Sequence, residues 1–170
     1  CKIVIVDGLT EGAACTTLLA REYINNRHPL VIANSDQFVE WSSADFMYNM
    51  AGNEADAGLV TFNATHPKWS FAEVDRFNRV KRVAEKDPIS DVATVGIYWF
   101  KRGSDYVRCA DKMIAKNIRT NNEFYVCPVF NELIEEGFKV QAYPIENNWG
   151  LGTPEDLQYF ISHYEKSNNA

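Results

Sequence analysis

Leu30-Val31-Ile32-Ala33 is a run of four apolar residues that breaks off in Asn34-Ser35-Asp36-Gln37. A short apolar run bounded by polar turn formers predicts a buried strand of an α/β sheet. Such a strand delivers its last residues to the carboxyl edge of the sheet, where open α/β sheets bind ligands. An aspartate placed there can hold a hard divalent cation such as Mg2+ against phosphate oxygens; it can equally be an ordinary turn former. A second stretch, Asp7-Gly8-Leu9-Thr10-Glu11-Gly12, carries two glycines ahead of a helical pattern. Gly8 and Gly12 permit close backbone approach or positive φ, and a loop leading into a helix suits phosphate or polar base edges. A plain strand–helix connection fits the same spacing. A third glycine, Gly96, interrupts the apolar run over residues 92–100 and marks either a bulge or a place where a ligand lies on the backbone.

The elements that must position these residues follow from periodicity. Residues 2–6 (Lys2-Ile3-Val4-Ile5-Val6) predict a strand, and residues 13–24 carry apolar positions at helical spacing. Residues 43–51 predict a short helix with Phe46, Met47 and Met50 inward, and residues 57–62 a second apolar strand. Alternation of strands and helices points to parallel pairing. Residues 71–75 and 79–85 alternate apolar and polar around Arg76-Phe77-Asn78 and predict a half-exposed antiparallel hairpin. Helices are predicted over residues 104–116 and 123–136, the second closed by Gly137. A strand follows over residues 139–143, then a loop over residues 148–152. Thr153-Pro154-Glu155-Asp156 opens the last helix, with Thr153 as N-cap and Pro154 at its first position. That helix is expected to run to about Tyr164, ahead of a frayed polar tail at residues 167–170.

The chain has 170 residues, of which 46% are hydrophobic and 13% aromatic, enough for one domain with a sizeable core. A formal charge of −6 argues against a general nucleic-acid binder. Cys1, Cys15, Cys109 and Cys127 are widely spaced, without the pairing that metal ligands or a disulfide framework need, so they read as reduced thiols of a cytoplasmic protein. No apolar run reaches the ~18 residues of a membrane span. His28, His66 and His163 do not cluster and read as surface or loop residues.

Three stretches occur together in an order and spacing that resembles the sugar-phosphate nucleotidylyltransferases (nucleoside-diphosphate-sugar pyrophosphorylases). They are residues 32–36; Val83-Ala84-Glu85-Lys86-Asp87 with Val95-Gly96-Ile97-Tyr98; and Trp149-Gly150-Leu151-Gly152-Thr153-Pro154-Glu155-Asp156-Leu157. Residues 9–14 (Leu9-Thr10-Glu11-Gly12-Ala13-Ala14) resemble that family's base-reading segment. The resemblance spans nearly the whole chain from the family's third strand onward. The family's N-terminal Gly-rich loop, with its Arg and Lys, has no counterpart among these residues. The expected organisation is therefore a single nucleotidyltransferase domain over residues 1–170, its C-terminal two-thirds, without the first strands and the Gly-rich loop.

The resemblance implies a Rossmann-like three-layer α/β sandwich with a mostly parallel mixed sheet and an inserted antiparallel hairpin. It implies a Mg2+-dependent reaction in which a nucleoside triphosphate and a phosphorylated small-molecule acceptor, a sugar 1-phosphate, are joined with release of pyrophosphate, for surface polysaccharide precursors. Asp36 would hold the metal and Lys86 the acceptor phosphate, both as catalytic residues. Leu9, Thr10, Gly12, Asn34 and Ser35 would bind the nucleotide; Glu85, Gly96 and Trp149 would bind the acceptor. The family often has a second metal-binding Asp two residues before the Gly of the Gly-Thr pair, where this chain has Gly150. Asp156 lies nearby in sequence but fits a first-turn helix role. No nucleic-acid or membrane partner is expected, and homo-oligomer formation stays open. The rival readings are a cytidylyltransferase for a phosphocholine-like ester, a non-catalytic nucleotide-binding homologue, and a metal-dependent glycosyltransferase. The last would normally show Asp-x-Asp where this chain has Asn34-Ser35-Asp36.

Overall fold

A computed structural model describes residues 1–167. Residues 168–170 of the tail expected to fray lie outside the described residues. In chain order the elements are α1 (Ala13–Leu18), α2 (Arg21–Ile24), β1 (Leu30–Ala33), β2 (Gln37–Val39), α3 (Ser43–Gly52), β3 (Ala57–Asn63), β4 (Ser70–Val74), β5 (Val80–Glu85), β6 (Val92–Phe100), α4 (Gly103–Ala115), α5 (Val129–Glu135), β7 (Val140–Pro144), β8 (Asn148–Gly150) and α6 (Pro154–Ser167).

The nine-residue β6 is the spine. It pairs along its whole length with β3, which pairs parallel with β7. Its opposite edge is shared: β1 takes residues 97–100, and β4, continued by β5, meets it at Ala93. β1, β3, β4 and β7 run one way, and β5 and β6 the other. The expectation of parallel neighbours therefore holds only at β3–β7, because β6 is threaded antiparallel between strands that share a direction. The α/β sandwich itself is as expected. One face buries Leu59, Tyr98 and Phe100 against α4 and α5, with the Phe100 ring 5.0 Å from Phe130 and 4.9 Å from Tyr106. The other buries Val60, Ile97 and Trp99 under Phe46 and Met50 of α3.

Several local expectations are corrected. Residues 2–6 form no strand, and Ile3 and Ile5 are 85% and 83% exposed. A strand needs a hydrogen-bonding neighbour, and none lies beside them; the outer edge of β1 is likewise unpaired among the described residues. The helix over residues 13–24 is broken into α1 and α2. Of the helix over residues 123–136 only α5 forms. Pro128 disfavours helical backbone before it, and the Phe124 backbone is committed elsewhere: its N–H donates to Glu11 O (2.8 Å) and its O accepts from Ala14 N (2.9 Å). Met47 is part exposed, whereas Phe46 and Met50 are buried. The loop over residues 148–152 includes β8, which pairs antiparallel with β2. All four cysteines are free. No described helix is long and apolar enough to cross a membrane.

Candidate active site

The cleft arises where the sheet forks. β1 ends at Ala33, opposite Ile97, and β4 begins at Ser70. Between them Thr94, Val95 and Gly96 of β6 form a floor. Gly96 has φ +82°, next to a register shift opposite Leu59–Thr61. Glycine takes this backbone without a Cβ penalty. A Cβ at Gly96 would come within 2.4 Å of Asn34 Nδ2, so the residue is both a bulge and a cleft-lining position. Asn34 N donates to Gly96 O (3.0 Å), which ties the end of β1 to the floor.

A chamber of about 220 Å³ stands on this floor, lined among others by Asn34, Trp69, Glu85, Lys86, Gly96 and Tyr125. Beside it lies a smaller compartment of about 130 Å³, lined by Asp36, Gln37, Gly150, Gly152 and Asp156. Asn34, Lys68 and Trp69 line both, so the two form one continuous cleft.

Each charged group has a structural reason for its place. Glu85 ends β5 and Lys86 follows it; the outer edge of β5 is capped by the Asn131 side chain: Val83 N donates to Asn131 Oδ1 (2.9 Å) and Asn131 Nδ2 to Val83 O (3.0 Å). Lys86 leaves the strand with φ +55°, and its N–H donates to Trp69 O (3.1 Å). Its ammonium donates to the Tyr125 hydroxyl (2.7 Å) and lies 4.7 Å from that ring's centroid. The Tyr125 hydrogen bond raises the Lys86 pKa, so the cation is secure at neutral pH. Glu85 accepts from the Ser70 hydroxyl; burial pushes its pKa up, opposed by Ser70 and Lys86. Below it the Tyr98 and Thr94 hydroxyls pair at 3.2 Å, and burial drives Tyr98 and Cys127 well above their usual ranges, keeping both neutral. In the other compartment Asp156 does sit in the first turn of α6: its N–H donates to Thr153 Oγ1 (3.1 Å) and its Oδ2 accepts from that hydroxyl (2.9 Å). Its Oδ1 accepts from Lys68 Nζ (2.8 Å), which holds its pKa below the ordinary carboxylate range.

The structure thus brings Asn34, Asp36, Glu85, Lys86 and Gly96 to one cleft. Leu9, Thr10, Gly12, Ser35 and Trp149 do not line it. Leu9 is fully exposed, and Thr10 pairs with Thr16 (2.6 Å). A Cβ at Gly12 would fall 2.6 Å from Phe124 N, so this glycine has a packing reason to lack a side chain. Trp149 faces α6, with ring centroids 5.7 Å from Phe160 and 6.0 Å from Tyr159. Trp69 lines the cleft, while Phe71 is core. Lys68 and Tyr125 escape the sequence reading: neither sits in a motif, and only the cation–aromatic pair Lys68-Trp69 offered a signal.

A hard cation asks for oxygen ligands, and Mg2+ is commonly held by one or two carboxylates plus phosphate. Asp36, in the connection between β1 and β2, and Asp156, on α6, match that number. A Cβ at Gly152 would be 2.8 Å from Asp36 Oδ2, and one at Gly150 3.9 Å from the Asp156 carboxyl, so the two glycines leave room beside both acids. No group of three or more His, Cys, Asp or Glu side chains forms a cage among the described residues. The donor set fits a cation shared with a phosphorylated ligand.

No protein-family model and no curated protein sequence matches the chain. Solved structures do. A nucleoside-diphosphate-sugar pyrophosphorylase from Vibrio cholerae superposes with TM-score 0.78 at 25% identity, over 92% of this chain and 67% of that one. The fold is that of the nucleoside-diphosphate-sugar pyrophosphorylases. A UDP-glucose pyrophosphorylase complexed with UDP-glucose gives TM-score 0.77 at 14% identity, over 94% of this chain and 64% of that one. The chain therefore spans about two thirds of the length of these neighbours.

Burial of Glu85 carries a stability consequence. A carboxylate whose folded pKa is raised destabilises the fold once pH exceeds the unfolded pKa, and the cost is complete above the folded pKa. Glu85→Gln should therefore raise the melting temperature at pH 7, on the order of 2 °C. The gain should vanish below about pH 4, where both states are protonated. Thermal unfolding across pH checks this, and a loss of stability at pH 7 would contradict it.

Proposed function

We propose that the chain is the acceptor- and metal-binding part of a Mg2+-dependent nucleotidylyltransferase that joins a nucleoside triphosphate to a sugar 1-phosphate and releases pyrophosphate. The observation that carries this reading is the forked cleft, in which Asp36 and Lys86, fifty residues apart, serve two compartments of one continuous space. In such a reaction an oxygen of the acceptor phosphate attacks the α-phosphorus in line, and the protein supplies positioning and charge neutralisation. A divalent cation held by Asp36, with Asp156 beside it, supplies charge neutralisation between the phosphates when bound. Lys86, fixed on Tyr125, neutralises the acceptor phosphate. Glu85, Ser70 and Thr94 offer hydrogen-bonding partners to sugar hydroxyls, and Gly96 lets the sugar lie against β6.

Two lysines and one carboxylate line the chamber, a balance that favours an anionic sugar phosphate over a cationic phosphocholine-like ester. We assign the triphosphate-cradling loop to none of the described residues, among which the outer edge of β1 is unpaired. We further propose a role in surface polysaccharide precursor synthesis, in the cytoplasm. The test is a screen of the full-length protein with four nucleoside triphosphates against sugar 1-phosphates and phosphocholine, read as pyrophosphate release. One triphosphate with one sugar 1-phosphate should stand out. Release with phosphocholine alone, or nucleotide binding without any turnover, would replace this reading by one of its rivals.

A further inference from the structure

Lys68 belongs to no motif, yet it lines both compartments. Its ammonium lies 2.8 Å from Asp156 Oδ1 and 4.8 Å from the centroid of the Trp69 ring, and its side chain is 43% exposed. The two partners differ in freedom. Asp156 is fixed on the first turn of α6 by its two hydrogen bonds with the Thr153 hydroxyl. Lys68 is a long side chain on the loop before β4, whose backbone is pinned one residue later by Trp69 O accepting from Lys86 N. Lysine carries its charge as a compact ammonium on a flexible stem, so it can change partner without backbone movement.

We propose that Lys68 is a phosphate-binding residue that rests on Asp156 and passes to the acceptor phosphate when a divalent cation enters beside Asp36. This rests on the reading of the cleft given above. The ammonium and the cation cannot both take full advantage of the same Asp156 charge, because like charges in one compartment repel. A phosphate between the compartments offers the displaced ammonium a charge-assisted hydrogen bond, stronger than a half-exposed surface ion pair. Two consequences follow. Cation and Lys68 compete for Asp156, and cation binding strengthens phosphate binding through Lys68.

The test measures Mn2+ affinity of the full-length protein by electron paramagnetic resonance, and glucose 1-phosphate affinity by calorimetry with and without Mn2+. Lys68→Met keeps the stem over Trp69 and removes the charge. It should bind Mn2+ about 5-fold more tightly in the absence of phosphate. It should also lose most of the Mn2+-dependent gain in glucose 1-phosphate affinity, becoming about 10-fold weaker than wild type when Mn2+ is present. Asp156→Asn should weaken Mn2+ binding and, by freeing Lys68, strengthen glucose 1-phosphate binding without metal. Unchanged or weaker Mn2+ binding by Lys68→Met overturns the proposal. So does an equal loss of glucose 1-phosphate affinity with and without Mn2+, or a wild type with no Mn2+-dependent gain. Asp36→Asn separates the two levels. If it leaves Mn2+ binding intact, the reading of the cleft fails. If it abolishes Mn2+ binding while Lys68→Met moves nothing, only the role of Lys68 fails.

Discussion

Asp36→Asn should cost at least ~100-fold in turnover of the full-length protein, the scale of removing one well-placed electrostatic group, and should abolish tight Mn2+ binding. Its melting temperature should stay near that of wild type. This combination separates the two uses of an aspartate at a strand end. Asn is as good a turn former as Asp, and the backbone here is held from both sides: Asp36 O accepts from Leu151 N (2.8 Å), and β2 begins at the next residue, paired with β8. If Asp36 serves the turn, the variant keeps both stability and rate. If it serves a cation, the variant keeps its stability and loses the rate. The adjoining glycine gives an independent check. A Cβ at Gly152 would lie 2.8 Å from Asp36 Oδ2, so Gly152→Ala must push that carboxylate aside and should weaken Mn2+ binding without removing any charge. A near-normal rate for Asp36→Asn at low Mg2+ would end the metal assignment.

What could be read from the chain, and what could not, divides along a physical line. Local signals were legible because they act within a few residues. The Arg76-Phe77-Asn78 turn sits between β4 and β5, the apolar run over residues 92–100 is β6 to the residue, and Gly137 ends α5 with φ +84°. Long-range pairing overrode local pattern elsewhere. Residues 3–6 are an apolar run like a buried strand but pair with no neighbour among the described residues. Residues 123–128 look helical, yet the Phe124 backbone is bound to Glu11 and Ala14, more than a hundred residues away in sequence. The same holds for the cleft. Asp36, Glu85, Lys86 and Gly96 sit in recognisable runs, and the fork in the sheet gathers them. Lys68 and Tyr125 enter the cleft only because β4 starts where β1 stops and because Tyr125 lies against the end of β5. Trp149 looked like a ligand-facing aromatic by its motif, but pairing of β8 with β2 turns it towards α6.

Lys86→Ala tests the division of the cleft into an acceptor side and a nucleotide side. The ammonium is held at one place by Tyr125, at 2.7 Å, and by a backbone that leaves β5 in the left-handed region. If it meets the acceptor phosphate, its removal deletes a charge-assisted hydrogen bond to a dianion, which contributes about 1.5–3 kcal/mol. The KM for the acceptor, or kcat, should worsen by roughly 10- to 100-fold, while nucleotide affinity by calorimetry barely changes. Backbone strain does not account for such a loss, because a non-glycine residue at φ +55° is strained whatever its side chain, lysine and alanine alike. Lys86→Gly removes that strain together with the charge, so it should be no less stable than Lys86→Ala and just as poor with the acceptor. Arginine is not a rescue: its planar fork cannot occupy the site of a point charge 4.7 Å from the Tyr125 ring without moving the hydroxyl that positions it. Tyr125→Phe keeps the ring and loses the hydroxyl, and should give a smaller acceptor defect than Lys86→Ala. If Lys86→Ala weakens nucleotide binding as much as acceptor use, Lys86 belongs to the triphosphate side and the cleft must be read in the opposite sense.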